Sequence, residues 1–85
     1  MEKTLYSQRR RKIAETLRTF RKEAGMTQRD LAEKIGRPQN TVVRIEQGQR
    51  RVDFLEWISL CQACDVDPAQ EGFELLKLLD TSNSQ

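Results

Sequence analysis

Three glycines divide the chain into short segments that each have helical periodicity. Every one of them directly follows a run of apolar residues spaced for one face of a helix, where glycine can take the left-handed conformation that ends a helix. They are Gly25, Gly36 and Gly48. No segment alternates apolar and polar residues at period two, as a half-buried strand would. The sequence therefore predicts an all-α fold.

Helix starts are marked as well. Three residue pairs have the spacing of a capping box, in which two side chains cap each other's backbone N–H groups. They are Thr27 with Asp30, Asp53 with Glu56, and Asp67 with Gln70. The last pair encloses Pro68, a residue preset for the first helical turn.

Together, the start and stop signals predict five helices in a single domain of residues 1–80. Gly72 lies inside the last helix, where a glycine costs about 1 kcal/mol and can split it. Residues 81–85 are predicted to be a polar flexible tail. The predicted helices span residues 8–24, 27–35, 38–47, 53–64 and 68–80.

The apolar residues of the first four helices fall on one face of each, so that these faces can build one core. The core candidates are Ile13, Leu17, Phe20 and Ala24 in helix one, Leu31, Ala32 and Ile35 in helix two, Val42 and Ile45 in helix three, and Phe54, Trp57, Ile58, Cys61 and Cys64 in helix four.

Composition narrows the function classes. The chain has 85 residues, room for one domain, and no histidine, which excludes Cys/His zinc patterns and Ser-His-Asp or Cys-His triads. No apolar run approaches the ~18 residues of a membrane span, and residues 1–11 lack the apolar stretch of a signal peptide. We expect a cytoplasmic protein that is not an enzyme and has no cofactor.

Both cysteines lie in helix four, as the C-x-x-C pattern Cys61 and Cys64. At this spacing both fall on the apolar stripe, so we predict buried packing thiols and no metal. The alternative is a four-thiolate zinc site shared across a dimer axis.

Charge is distributed unevenly along the chain. Residues 1–51 carry 14 Lys/Arg against six Asp/Glu, a balance of +8, whereas residues 52–85 carry one lysine against seven acids, a balance of −6. Such a split suggests a first part that faces a polyanion and a second part that faces something else. A solvated basic face without a partner is the alternative.

Helices two and three are joined only by Gly36 and Arg37, a tight turn that sets two short helices at a steep angle. The stretches 27–36 and 38–48 resemble the DNA-binding domains of the lambda Cro and repressor family, the XRE family, and the resemblance extends over residues 13–66. It implies a five-helix lambda-repressor-like domain with a helix-turn-helix at 27–47, bound to double-stranded DNA. An ordinary helical hairpin in an interaction domain is the alternative.

The resemblance implies that helix three lies in the major groove and reads base edges with its first residues. Gln39 and Asn40 suit the N6/N7 edge of adenine, because an amide both donates and accepts. Val43 either contacts a thymine methyl or packs at the helix edge. Arg44 pairs with guanine or with phosphate.

Phosphate contacts would fix the register of helix three. The resemblance places Gln28 beside the DNA backbone, with its side chain bracing Gln39. Thr41 either bonds phosphate or its own helix backbone, and the arginines near the N-terminus either contact phosphate or are solvated. The phosphate candidates are Thr27, Gln28, Arg37, Thr41, Arg50, Arg51, Arg10 and Arg11.

The resemblance also implies a salt bridge between Arg21 and Glu46 that ties helix one to the end of helix three. Two positions depart from the family pattern. Arg37 replaces a residue that is usually apolar, and Pro38 replaces the Ser or Thr that usually caps helix three. The start of helix three can therefore be shifted by one residue, with Arg37 turned outward to phosphate.

Helices four and five have more apolar surface than one core contact needs. Ala69, Phe73, Leu76 and Leu79 share one face of helix five, and Leu75 and Leu78 point elsewhere. We predict a two-fold dimer through residues 53–80, with a monomer wrapped by its last helix as the alternative. The dimer candidates are Leu55, Leu60, Leu75, Leu78 and Leu79.

These features predict a transcriptional regulator, a repressor or autoregulator, that binds a near-palindromic operator as a homodimer. The alternative is an antitoxin or protein-interaction module. Its acidic C-terminal helices would bind a protein partner, and its DNA binding would serve autoregulation.

Overall fold

The start and stop signals place the helices correctly to within a few residues. The structure, a computed structural model, describes residues 4–83, and the side chains of these up to Asp80. This part of the chain forms five helices and no strand, as predicted for an all-α fold. They are α1 (Leu5–Glu23), α2 (Gln28–Ile35), α3 (Gln39–Glu46), α4 (Phe54–Ala63) and α5 (Pro68–Asn83).

Two helices are longer than predicted. Helix α1 begins at Leu5 instead of residue 8, because the Thr4 hydroxyl caps it by accepting the Ser7 N–H at 3.0 Å. Helix α5 runs without interruption past Gly72 to Asn83, so that residues 81–83 are helical and not the tail expected. The rest of the predicted tail, residues 84–85, lies outside the described residues.

Two of the three predicted capping boxes are present. Thr27 accepts the Asp30 N–H and Asp30 accepts the Thr27 N–H, both at 3.0 Å, and Asp53 and Glu56 form the same reciprocal pair. The third prediction is wrong. Asp67 caps α5 through the N–H of Ala69 at 3.0 Å, and the amide of Gln70 donates to Glu74.

The first three helices are each followed by one of the predicted glycines. Gly25, Gly36 and Gly48 have φ angles of +74°, +70° and +74°, the left-handed region where a side chain is strained. After α4, which ends at Ala63, the residue in the left-handed conformation is Asp65, whose φ is +64°. Asp tolerates this conformation better than most residues.

One core joins all the helices, and Trp57 connects α1, α4 and the start of α5 within it. The ring of Trp57 stands 6.1 Å from that of Phe20, and its Nε1 donates to the Pro68 carbonyl at 3.0 Å. Of the predicted core residues, Phe54 and Ala24 are exposed. The buried cluster consists of Leu17, Phe20, Leu31, Ala32, Val42, Ile45, Trp57, Leu60, Cys61, Cys64 and Leu75.

The two sets of apolar residues on helix five are not buried as sets. Leu75 is buried and Leu79 packs against the core, whereas Phe73 and Leu76 are 59% and 65% exposed. Gly72 lies on the side of α5 that faces Trp57, where an added Cβ would be 3.4 Å from Trp57 Nε1, an ordinary contact distance. Helix α5 therefore packs on α4 through the side that carries both Gly72 and Leu75, which are three residues apart.

Cys61 and Cys64 are packing residues of this core. They are 0% and 5% exposed, and burial raises the pKa of the Cys61 thiol to about 12, which keeps it protonated at neutral pH. Neither side chain is presented at the surface, where a shared zinc site would need it. Within residues 4–83, no group of three or more His, Cys, Asp or Glu side chains is placed to hold a metal ion.

No helix in the described part of the chain combines the length and apolar character needed to cross a membrane.

Candidate nucleic-acid interface

The turn between α2 and α3 is short and closed by backbone bonds. Gly36 ends α2 in the left-handed conformation, and the N–H of Arg37 donates to the Ala32 carbonyl at 3.0 Å. Pro38 is the extended residue before α3 and makes no side-chain cap, so that α3 begins at Gln39, one residue later than predicted.

One side of α3 is buried and the other is free. Val42 and Ile45 are 1% and 3% exposed and pack against the core. Three predicted base contacts, Gln39, Asn40 and Arg44, are exposed, and Val43 is half-buried. Three of the four predicted base contacts are therefore accessible, and the partial burial of Val43 leaves both of its predicted roles open.

The C-terminal end of α3 is held by two other helices through Glu46. Its Oε2 lies 2.6 Å from Arg21 Nε, and its Oε1 accepts from Arg21 Nη2 at 3.0 Å, the ion pair that the resemblance implied. Gln28, at the start of α2, also donates to Glu46 Oε1 at 3.0 Å. Its amide nitrogen therefore braces Glu46, and not Gln39 as expected.

The Arg21 side chain is nearly buried and fully engaged. Its Nη1 donates to the Met26 carbonyl at 2.8 Å, and only 9% of the side chain is exposed. The hydrogen bond to Glu46 is the main cause that raises the pKa of Arg21. The pair is a fixed part of the scaffold that orients α3.

A second carboxylate, Glu56, holds two of the predicted phosphate contacts. Arg50 Nη1 donates to its Oε1 at 2.9 Å, Arg50 Nη2 lies 2.8 Å from its Oε2, and Arg37 Nη1 lies 3.2 Å from the same oxygen. The hydrogen bond from Arg50 is the main cause that holds the pKa of Glu56 below its ordinary value. The sequence marked Glu56 only as a capping residue.

Two more predicted phosphate contacts lie over the ring of Tyr6, a residue that the sequence did not mark as part of the site. The guanidinium groups of Arg10 and Arg51 each lie 5.7 Å from the centre of its ring, within the range of a cation–π contact. Arg10 Nη2 also donates to the Gly48 carbonyl at 2.9 Å, which ties α1 to the loop after α3. The only signal in the sequence was an aromatic residue three positions before a run of four basic ones.

The other phosphate candidates have varied surroundings. The hydroxyl of Thr27 is occupied in capping α2, and Arg11 is exposed. Thr41 is half-buried beside Arg37 and Glu56, at the edge of a cavity of about 150 Å³. The predicted contacts thus surround both ends of α3.

The predicted dimer candidates do not share one surface. Leu60 and Leu75 are core residues of the protomer, with 2% and 7% exposure, so these two predictions are wrong. Leu79 is half-buried against the core, and Leu55 and Leu78 are 74% and 54% exposed. The hydrophobic period alone does not show which of two apolar stripes on a helix meets its own core.

Helices α4 and α5 enclose an apolar groove of about 430 Å³, which we call the α4–α5 groove. Phe54 at its edge is 79% exposed, and Phe73 and Leu76 are also mostly exposed. The groove is lined by Phe54, Trp57, Ile58, Asp67, Pro68, Ala69, Gly72, Phe73 and Leu76.

Helices α2 and α3 are short and joined by a closed turn, and α3 is anchored at one end with an exposed outer face. This arrangement defines a helix-turn-helix DNA-binding domain. The family model described as a helix-turn-helix domain matches residues 12–71. The chain belongs to the XRE family of helix-turn-helix proteins, and it is a DNA-binding transcriptional regulator.

Solved structures agree with this family. An XRE-family like protein from Pseudomonas syringae pv. tomato str. DC3000 is 32% identical, with a TM-score of 0.74 over 91% of this chain and 89% of that one. The restriction-modification controller protein C.AhdI from Aeromonas hydrophila is also 32% identical, with a TM-score of 0.67 over 71% and 91%. The clp gene regulator ClgR from Corynebacterium glutamicum is 26% identical, with a TM-score of 0.74 over 100% and 86%. Comparison with curated proteins finds no match.

Proposed function

We propose that this protein is a transcriptional repressor or autoregulator that binds a near-palindromic operator as a homodimer. The observation that carries the proposal is the anchoring of α3. Glu46 fixes its C-terminal end through Arg21 and Gln28, while Gln39 and Asn40 stay exposed at its N-terminal end. The similarity to a restriction-modification controller and to the clp gene regulator supports a regulatory role.

The proposed base contacts form two rows on α3. Residues four apart lie on the same side of a helix, so Gln39 is aligned with Val43 and Asn40 with Arg44. The amides of Gln39 and Asn40 can hydrogen-bond the N6/N7 edge of adenine. The methyl groups of Val43 can contact a thymine methyl, and Arg44 can pair with guanine. One copy of α3 is therefore expected to read a short half-site that contains an A·T pair.

The proposed phosphate contacts come from both sides of α3. Arg37 precedes the helix, and Arg50 and Arg51 follow it; Arg10 and Arg11 stand on the first turns of α1. The other proposed contacts are Thr27, Gln28 and Thr41, near the starts of α2 and α3. Most of the affinity then comes from cationic side chains, and it falls as salt rises.

The proposed homodimer forms through α4 and α5. The α4–α5 groove is almost entirely apolar, and the exposed side chains of Leu55 and Leu78 add apolar surface on the same helices. Exposed apolar area of this kind favours burial against another surface. A second copy related by a two-fold axis would place two α3 helices at half-sites about one helical turn apart.

Selection of bound sites from random DNA tests the proposal, followed by sedimentation of the complex with the selected duplex. We expect an enriched palindrome at moderate salt and two copies of the chain on each duplex. The absence of an enriched sequence, or a single copy on an unpaired half-site, would contradict it. Stable capture of a basic protein by the groove in place of a second copy would favour the antitoxin or interaction-module alternative.

A further inference from the structure

Glu56 connects the two segments of chain that flank α3. Arg37 lies just before the helix and Arg50 lies in the loop after it, and both contact the carboxylate of Glu56 from α4. Only 11% of the Glu56 side chain is exposed. This carboxylate therefore fixes the relative position of two cations that approach it from opposite ends of α3.

The two arginines are held to different degrees. Arg50 gives both terminal nitrogens to Glu56, and its Nη1 also donates to the Arg51 carbonyl at 3.2 Å. Arg37 makes a single contact of 3.2 Å, and 43% of its side chain is exposed. The two contacts of Arg50 hold its side chain and the loop after α3, an arrangement that we call the Arg50 strut. The single contact of Arg37 leaves much of its guanidinium group accessible.

We propose that Glu56 is a positioning residue for DNA binding, which holds Arg37 and Arg50 in the orientation in which they meet the phosphates beside α3. The inference rests on the proposed function and adds a residue that does not itself contact DNA. Ordering a long side chain costs free energy, and a side chain that is already ordered in the free protein avoids that cost on binding. The planar fork of Arg50 on a carboxylate is well suited to such pre-ordering.

The direction in which DNA affinity changes when Glu56 is removed distinguishes a positioning role from simple electrostatic repulsion. A carboxylate near the DNA repels phosphate, and a carboxylate bonded to arginines competes with phosphate for them, so on both grounds its removal would strengthen binding. If Glu56 positions the arginines, its removal weakens binding in spite of the gain of one positive charge. The two models thus predict opposite changes in affinity.

The variant Glu56→Gln tests the proposal in the full-length protein. Glutamine serves as well as glutamate in a capping box, so α4 keeps its cap while the charge on which the arginines rest is lost. Glu23→Gln is the matched control, since it makes the same change of net charge at an exposed residue of α1. Affinity for the selected operator is measured at several salt concentrations, and thermal unfolding confirms that each variant is folded.

We expect Glu56→Gln to bind the operator about fivefold or more weakly than the wild type, because two arginine side chains must then be ordered on binding. Glu23→Gln is expected to bind as tightly as the wild type or slightly more tightly. Unchanged or tighter binding by Glu56→Gln would overturn the proposal and favour competition with phosphate. If the wild type itself selects no DNA sequence, the proposed function fails and the inference fails with it.

Arg50→Lys provides a second test that leaves Glu56 and the net charge in place. Lysine cannot form the two-pronged bond to the carboxylate, so the strut is lost while its charge remains. We expect operator binding to weaken as in Glu56→Gln, and wild-type affinity would overturn the inference. Side-chain NMR of the free wild type should show a rigid Arg50 guanidinium that becomes mobile in Glu56→Gln. Equal mobility in the two proteins would also overturn it.

Discussion

Arg21 and Glu46 form a two-pronged ion pair that joins α1 to the C-terminal end of α3. Arg21 Nε lies 2.6 Å from Glu46 Oε2, Arg21 Nη2 donates to Glu46 Oε1 at 3.0 Å, and 9% and 4% of the two side chains are exposed. Because α3 is short and makes no side-chain cap at Pro38, this pair is the main polar anchor of α3.

Glu46→Leu should lower the free energy of unfolding by roughly 3 kcal/mol, because it leaves the charge of Arg21 buried without its counterion. Urea denaturation measures the loss. The double variant Arg21→Met, Glu46→Leu removes both charges and should lose less than the sum of the two single substitutions. Strictly additive losses would contradict a coupled pair.

Gly72→Ala and Gly48→Ala should change stability in opposite directions. Gly72 lies inside α5, where alanine is favoured over glycine by about 1 kcal/mol, and the new Cβ would meet Trp57 Nε1 at 3.4 Å, an ordinary contact distance. Gly48 has a φ of +74°, where a side chain costs roughly 1–2 kcal/mol. In thermal unfolding, the melting temperature should rise by about 4–8 °C for the first variant and fall for the second. A lower melting temperature for Gly72→Ala would mean that the Trp57 side chain cannot shift to accommodate the added methyl group.

The difference between these glycines shows what the sequence could predict. Gly48 and the Thr27–Asp30 capping box act through neighbouring residues, and the sequence placed them correctly. Gly72 instead faces Trp57 on another helix, on the same side of α5 as the buried Leu75. Local periodicity leaves two apolar stripes on α5 and cannot choose between them.

The same distinction applies to the candidate site. The exposure of Gln39 and Asn40 follows from the helical period of α3, because Val42 and Ile45 must face inward. Glu56, by contrast, contacts Arg37, which is 19 positions away in the sequence, and Arg50, which is six positions away. These contacts depend on how α4 packs beside the turn, which no local pattern contains.

Gln39→Ala and Arg51→Ala should weaken DNA binding in different ways. Loss of a base contact should relax the preference at one position of each half-site, at a cost of about 1–3 kcal/mol for the preferred sequence. Loss of a phosphate contact should weaken binding to all sequences alike and reduce the salt dependence by about one counterion. Binding to an operator library at two salt concentrations measures both effects. A uniform loss for both variants would show that Gln39 does not read bases.

The stability that Glu56 provides should depend on pH. Its pKa lies below the ordinary value of 4.5, chiefly because of the hydrogen bond from Arg50. A carboxyl group with a lowered pKa in the folded state stabilises the fold fully above its unfolded value, and this contribution is lost as the pH falls through the folded value. The wild type should therefore exceed Glu56→Gln in stability at pH 7, and the difference should shrink below about pH 4.5.

Urea denaturation from pH 7 to pH 3 measures this convergence. The Asp30 carboxyl, whose pKa is also lowered, chiefly by the bond from the Thr27 N–H, is present in both proteins and cancels in the difference. Arg50→Gln removes the main partner of Glu56. When both proteins carry this substitution, their difference in stability should change less between pH 7 and pH 3. A difference that stays constant down to pH 3 would contradict the ion pair.

Phe54→Glu and Leu55→Glu should abolish self-association and leave the fold intact. Both residues are more than 70% exposed, at 79% and 74%, and both lie in the first turn of α4, where a negative charge interacts favourably with the helix dipole. Sedimentation should show monomers, and affinity for a two-half-site operator should fall towards that for a single half-site. Thr19→Glu, on the exposed side of α1, adds the same charge and should remain dimeric. Dimers of unchanged stability in both α4 variants would place the interface elsewhere, since a buried glutamate without a partner could not be tolerated in an apolar contact.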